Sequence, residues 1–107
     1  MQRYGQVIRL KPGALEEYRR IHRDVWTEVL ATIRQCNIHN YSIYHKDGHL
    51  FAYFEYTGSD FKADIARMAA DPKTQAWWKI TDLLQDPLPG RTLGEWWATM
   101  EEVFHVE

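Results

Sequence analysis

The chain has 107 residues, of which 45% are hydrophobic and 26% charged, and its formal net charge is −2. That length predicts one domain spanning residues 1–107. No basic stripe suits a nucleic-acid backbone, and no apolar run approaches the roughly eighteen residues that cross a membrane. The N-terminus lacks the apolar run of a secretion signal, and the single Cys36 cannot form an internal disulfide, so we expect a cytoplasmic protein.

The first third of the chain predicts a strand followed by one long helix. Residues 5–10 are typical of a strand and end at a Pro-Gly turn. From 14 to about 35, apolar residues recur at the spacing of a single helical face. Tyr18, His22 and Trp26 lie four residues apart on this helix, so they are expected to stack along one side of it.

The rest of the chain predicts a hairpin, two helices and a final strand. The predicted elements are strands at 41–45 and 49–56, helices at 61–70 and 72–84, and a last strand at 100–106. An Asp-Gly dipeptide joins the two hairpin strands, which is a strong turn signal. Asp71 is the expected N-cap of the last helix, and Pro72 is its expected first residue.

This order of elements indicates the fold. Strand, helix, strand, strand, helix, strand is the ferredoxin-like split βαβ arrangement, an α+β architecture with helices on one face of an antiparallel sheet. In residues 49–56 both alternating sets of side chains are apolar, although such a sheet leaves one face in water. We therefore expect a second copy of the chain to cover that face, giving a face-to-face homodimer, a dimeric α+β barrel.

His22 is the first candidate for chemistry, because an ionisable side chain on the apolar side of a helix requires an explanation. It is either a core histidine satisfied by a hydrogen bond or a proton carrier in a cavity between helix and sheet. In the second case Tyr18 would bind a substrate hydroxyl or tune the imidazole. The spacing alone does not decide between the two.

Two tryptophan pairs are the second unusual feature. Neighbouring helical residues point about 100° apart, so one ring of Trp77-Trp78 is expected in the core. The other is expected at an interface, or as a flat apolar platform for a polyhydroxylated ligand. Trp96-Trp97 is expected to be the same kind of pair or, equally, a dimer contact or a loop anchor. No spacing matches a metal site, a phosphate loop or a nucleophile elbow, so no metal is expected.

Four blocks of the sequence carry a family resemblance: Glu17-Tyr18-x-x-x-His22-x-x-x-Trp26, His39-Asn40-Tyr41-x-Ile43-Tyr44, Trp77-Trp78-Lys79 and Glu102-Val103-Phe104. In order and spacing, over nearly the whole chain, they resemble the L-rhamnose mutarotase family. The resemblance implies a ferredoxin-like α+β domain that dimerises through its sheets. Family members often have Asn-Pro after the histidine, where this chain has Arg23-Asp24, and the segment 93–97 is longer and more aromatic here.

The resemblance also implies an activity. It implies interconversion of the α and β anomers of a 6-deoxy-L-hexose, L-rhamnose or L-fucose, without a cofactor. His22 would be the proton donor, and Tyr18, Tyr41, Trp77 and Trp78 would bind the sugar. Two other interpretations stay open: an oxygen- or haem-using enzyme of the same architecture, and a sugar-binding domain without catalysis. The proximity of Tyr18 to His22 favours an enzyme, because a binder needs no proton carrier.

Overall fold

A computed structural model describes the whole chain, residues 1–107. Its elements, in chain order, are β1 (Gln2–Leu10), α1 (Leu15–His22), α2 (Thr27–Gln35), β2 (Ile38–Lys46), β3 (His49–Tyr56), α3 (Phe61–Ala70), α4 (Pro72–Asp82), β4 (Gln85–Asp86) and β5 (Ala98–Met100). None of the helices has the length and apolar character needed to cross a membrane.

The five strands form one antiparallel sheet. Its order is β2-β3-β1-β4, and β5 also pairs with β1, farther along the same strand. The two central strands are therefore β1 and β3, with β2 at one edge and the late strands at the other. This is the order of a ferredoxin-like sheet, and the predicted α+β fold is confirmed.

The core lies between the helices and one face of the sheet, which we call the inner face. One cluster of buried side chains consists of Ile8, Leu10, Ala14, Tyr18 and Leu50. A second consists of Cys36, Ile38, Phe54, Tyr56 and Met68. Along β3 the buried residues alternate with more exposed ones, as expected for a sheet with helices on one side only. The two clusters leave a cavity between them.

The single helix predicted over 14–35 is wrong, because the structure has two helices separated at residues 23–26. No proline or glycine occurs there, so the sequence carries no local helix breaker. Trp26 instead adopts an extended backbone, with φ −57° and ψ 135°, at the start of α2. Its ring packs edge-on against Trp77, with centroids 5.3 Å apart. A tertiary contact, which the helical pattern does not reveal, accompanies the break.

The last strand predicted at 100–106 is also wrong. The strand β5 ends at Met100, and residues 101–107 are exposed and outside any strand. The apolar Val103, Phe104 and Val106 suggested a strand, but they pair with no strand of this chain. The beginning of β2 was also missed: Ile38 starts it, three residues before the predicted position.

Candidate active site

A cavity lies between the inner face of the sheet and the helices. It consists of two adjoining chambers of about 520 and 560 Å³, a size typical of small-molecule sites. Most of its lining is apolar. All five residues predicted to form the site line one or both chambers: Tyr18, His22, Tyr41, Trp77 and Trp78. The fold therefore brings together residues from α1, β2 and α4 that are far apart in the sequence.

His22 is half-buried at the end of α1, and one of its two nitrogens is already engaged. Its Nδ1 lies 2.8 Å from the backbone carbonyl oxygen of Tyr18. Because a carbonyl only accepts, Nδ1 must carry a hydrogen, and Nε2 is left free to accept or donate a proton. The Tyr18 ring stacks on the imidazole at 4.2 Å, and the Trp77 ring meets it edge-on at 5.4 Å.

The surroundings of His22 also set its charge. Burial lowers the pKa of His22 below its ordinary value of 6.5, because the charged imidazolium loses solvation, and the bond to the Tyr18 carbonyl opposes this only in part. The imidazole is therefore neutral at neutral pH. A neutral ring with a free Nε2 begins a reaction as a proton acceptor, whereas the family resemblance implies a proton donor at this position.

Tyr18 is buried, and its hydroxyl belongs to a short chain of hydrogen bonds. Gln85 donates to the hydroxyl oxygen from Nε2 at 3.1 Å. Trp96 in turn donates from its indole nitrogen to Oε1 of Gln85 at 2.7 Å. Burial raises the pKa of Tyr18 well above its ordinary value of 10, so the phenol keeps its proton throughout the physiological range.

Tyr41 reaches the cavity because of an irregularity in the sheet. The pairing of β2 with β3 shifts by one residue between His39 and Ser42, and Asn40 has a backbone φ of 49°. Such a bulge reverses the alternation of side chains, so Tyr41 turns to the inner face, 5.7 Å from the ring of Phe54. Although the side chain as a whole is 42% exposed, burial of the phenol raises the pKa of Tyr41 to about 12.

The two rings of the pair on α4 have different surroundings. Trp77 is 7% exposed and meets both His22 and Trp26 edge-on. Trp78 is 36% exposed and lines both chambers. The expectation of one core ring and one open ring is met. Trp77 supports the imidazole, and Trp78 offers the free aromatic surface.

Sequence reasoning missed several residues of the cavity. Residues without a predicted role that line it are Gln6, Asp82, Gln85, Glu95 and Thr99, and Trp96, whose predicted role was left open, also lines it. Gln6 carried a signal, because it interrupts the apolar inner set of β1. Burial raises the pKa of Asp82 above its ordinary 3.8, whereas a hydrogen bond from Thr99 at 2.6 Å lowers the pKa of Glu95. No group of three or more His, Cys, Asp or Glu side chains is arranged to hold a metal ion.

Comparison with known proteins of similar sequence identifies the family of this chain. The L-rhamnose mutarotase family model matches residues 3–106. The chain is 34% identical to an L-fucose mutarotase of Xanthomonas campestris, over 97% of this chain and 87% of that protein. It is 32% identical to an L-rhamnose mutarotase of Opitutus terrae, over 100% of both chains. The chain is thus an isomerase that acts on sugar anomers. It belongs to the L-rhamnose mutarotase family.

Solved structures show the same fold in different enzymes. An L-rhamnose mutarotase of Formosa agariphila has a TM-score of 0.78 and 20% identity, over 100% of both chains. A tetracenomycin F2 cyclase of Streptomyces glaucescens has a TM-score of 0.68 and 13% identity, over 100% of this chain and 98% of that one. Because the fold occurs with more than one named activity, the activity must be argued from the cavity.

Proposed function

We propose that this chain interconverts the α and β pyranose forms of a 6-deoxy-L-hexose, L-rhamnose or L-fucose, by acid/base ring opening at His22. The observation that carries the proposal is the free Nε2 of His22, on a neutral imidazole, in an apolar cavity that two phenols and four tryptophans also line. Relatives named for L-rhamnose and for L-fucose support both sugars as substrates.

The chemistry requires two proton movements. One proton leaves the anomeric hydroxyl and one reaches the ring oxygen, while the bond from C1 to that oxygen breaks and an aldehyde forms. Rotation about C1–C2 and the reverse steps close the ring on the other face. Nε2 of His22 accepts the first proton and later returns it, and a second group or water serves the ring oxygen. General acid/base catalysis of this kind contributes about 10²–10⁴-fold.

Sugar binding follows from the different surroundings of the aromatic residues. Trp78 exposes a flat apolar surface to the cavity, on which the apolar side of a pyranose packs. Tyr18 and Tyr41 supply polar groups for its hydroxyls. We propose that the C6 methyl group lies against this apolar wall. A C6 hydroxyl would lose solvation there, which favours 6-deoxy sugars over their 6-hydroxy analogues.

Exchange NMR on L-rhamnose and L-fucose tests the proposal directly. The wild type should accelerate anomer exchange above the spontaneous rate. His22→Ala should reduce that excess rate by about 100-fold or more. His45→Ala is the matched control, because His45 lies in the hairpin outside the cavity and its loss should leave the rate unchanged. An unchanged rate in folded His22→Ala refutes the role of His22. Sugar binding without any excess rate in the wild type would identify a binding domain instead.

The same proposal includes a homodimer formed through the other face of the sheet, the outer face. Phe51 on β3 is 37% exposed there, and Tyr44, its partner on β2, is 68% exposed. Met100 adds to this apolar surface from β5, on the far side of β1. Exposed apolar side chains that are contiguous on one face are typical of a protein interface. A second copy of the chain, with the same face, is the occupant we propose.

A further inference from the structure

We propose that Gln85 and Trp96 are positioning residues that hold the Tyr18 hydroxyl as a hydrogen-bond donor toward a sugar oxygen. The inference rests on the proposed function, in which Tyr18 binds the sugar. It gives a role to Trp96, which comes from the segment between β4 and β5.

The geometry is a chain of two hydrogen bonds that runs from the edge of the cavity into its wall. Trp96 is partly exposed and donates to Gln85 Oε1 at 2.7 Å. Gln85 is buried in β4 and donates from Nε2 to the Tyr18 oxygen at 3.1 Å. Tyr18 lies in α1, so the chain connects three separate parts of the fold. All three side chains line the same chamber of the cavity.

The direction of this chain follows from the chemistry of its members. An indole nitrogen only donates, so the Gln85 atom that faces Trp96 must be the amide oxygen. The amide nitrogen, which also only donates, must then face Tyr18, and the Tyr18 oxygen must accept. The hydrogen of the Tyr18 hydroxyl is not used in either bond. It remains available to an oxygen atom of a ligand in the cavity.

Fixing this direction has a consequence for binding. A tyrosine hydroxyl both donates and accepts, and a glutamine amide can rotate by half a turn, so neither group alone defines what the cavity offers. The indole of Trp96 fixes both the orientation of the Gln85 amide and the role of the Tyr18 oxygen as an acceptor. Hydrogen bonds linked in a chain also polarise one another, which makes the terminal hydroxyl a better donor. Trp97, by contrast, packs against the apolar cluster of Ile8 and Leu50 and has no part in this chain.

Gln85→Glu tests the direction with almost no change of shape. An ionised carboxylate accepts from both Trp96 and Tyr18, so the Tyr18 hydrogen turns away from the sugar. The excess rate of anomer exchange should fall roughly tenfold at pH 8, about the effect of one hydrogen bond. A protonated carboxyl group accepts from Trp96 and donates to Tyr18, as the wild-type amide does. The ratio of the variant rate to the wild-type rate should therefore rise as the pH falls.

Two controls separate this positioning role from a merely structural one. Gln75→Glu places the same charge on an exposed part of α4 and should keep the wild-type rate at every pH. In a Tyr18→Phe background, Gln85→Glu should cause little further loss, because the hydroxyl it reorients is gone. A rate ratio that does not change with pH, or losses that add fully in the double variant, would overturn the inference.

The affinity for L-rhamnose, followed by tryptophan fluorescence, keeps the test independent of catalysis. Gln85→Glu should bind the sugar more weakly than the wild type at pH 8 and recover affinity toward acid pH. A wild type that binds L-rhamnose without accelerating exchange refutes the proposed function, and the affinity profile then still decides on Gln85. Equal affinity of variant and wild type at all pH values overturns the positioning role.

Discussion

At the scale of single residues, the proposed reaction depends on which nitrogen of His22 carries a hydrogen. The carbonyl of Tyr18 fixes that hydrogen on Nδ1, so the lone pair of Nε2 is available in the neutral ring. Burial keeps the ring neutral by lowering its pKa. The same bond that would satisfy a core histidine therefore also prepares a proton acceptor, and the two interpretations of His22 are compatible.

The lowered pKa of His22 predicts the pH dependence of the enzyme. Nε2 must be unprotonated to accept the anomeric proton, so kcat/KM should reach a plateau at neutral and alkaline pH and fall in acid. Because the folded protein holds the pKa below 6.5, the midpoint of this fall should also lie below 6.5. Exchange NMR at a series of pH values, corrected for the spontaneous rate, measures it. A midpoint above 6.5 would contradict an imidazole that burial keeps neutral.

The two tryptophans of α4 should differ in what their loss changes. Trp78→Ala removes an open aromatic surface, so KM should rise while kcat and stability change little. Trp77→Ala removes a buried ring that supports His22, so kcat should fall and the free energy of unfolding should drop by about 3–5 kcal/mol. Steady-state kinetics and denaturant unfolding measure both effects. The reverse pattern would show that Trp77, and not Trp78, carries the sugar.

At this scale the sequence was informative where the signal is local. The spacing of Tyr18 and His22 placed them on one side of a helix, and adjacency predicted that Trp77 and Trp78 point apart. Gln85 and Tyr18 are separated by 67 positions, so their hydrogen bond has no local pattern. The catalytic and binding roles of all these residues stay predictions until the variants are measured.

At the scale of elements, local chemistry was sufficient for the start of α4. Asp71 accepts from the backbone N–H of Thr74 at 2.9 Å, and Pro72 is the first helical residue, both as predicted. The interruption at Trp26 and the bulge at Asn40 were not predictable in this way. Each is accompanied by a contact with a partner that is distant in sequence, the Trp77 ring for the first and β3 for the second.

The bulge allows a prediction about substitutions at Asn40, whose φ of 49° lies in the left-handed region. Asn40→Gly tolerates this backbone and should change little. Asn40→Val is strained there, so stability should fall by about 1–2 kcal/mol and KM should rise as Tyr41 leaves the cavity. Asp47→Val is the matched control, because Asp47 has a φ of 52° in the hairpin turn, away from Tyr41. It should lose stability with an unchanged KM, and an equal rise in KM would contradict the role of the bulge.

At the scale of the whole molecule, the alternation in β3 predicted correctly that both faces of the sheet are apolar. The inner face is covered by helices of the same chain, whereas Phe51 and Tyr44 on the outer face have no cover from it. Residues 101–106 of the exposed tail were predicted to be part of a strand, because their apolar residues resemble one in the sequence. A pattern of apolar residues indicates that a surface is buried, but it does not identify the element or the second chain that covers it.

The last prediction concerns the proposed homodimer. Sedimentation equilibrium at micromolar protein concentrations measures the oligomeric state. The wild type should be a dimer, and Phe51→Glu should be a monomer, because a charge at the centre of the outer face opposes burial. Leu83→Glu places the same charge on an exposed position of the helical layer and should remain a dimer. The unfolding temperature should rise with protein concentration in the wild type and not in Phe51→Glu.

Activity of the monomer then separates the interface from the cavity. His22, Tyr18 and Gln85 come from one chain and line the cavity on the helical side of the sheet, opposite the face that carries Phe51. The Phe51→Glu monomer should therefore keep kcat within about threefold of the wild type. Such a change in kcat is smaller than the loss of one strong hydrogen bond can cause. A monomer that folds but loses most of its excess rate would show that the partner contributes to the cavity. A wild type that sediments as a monomer would refute the dimer itself.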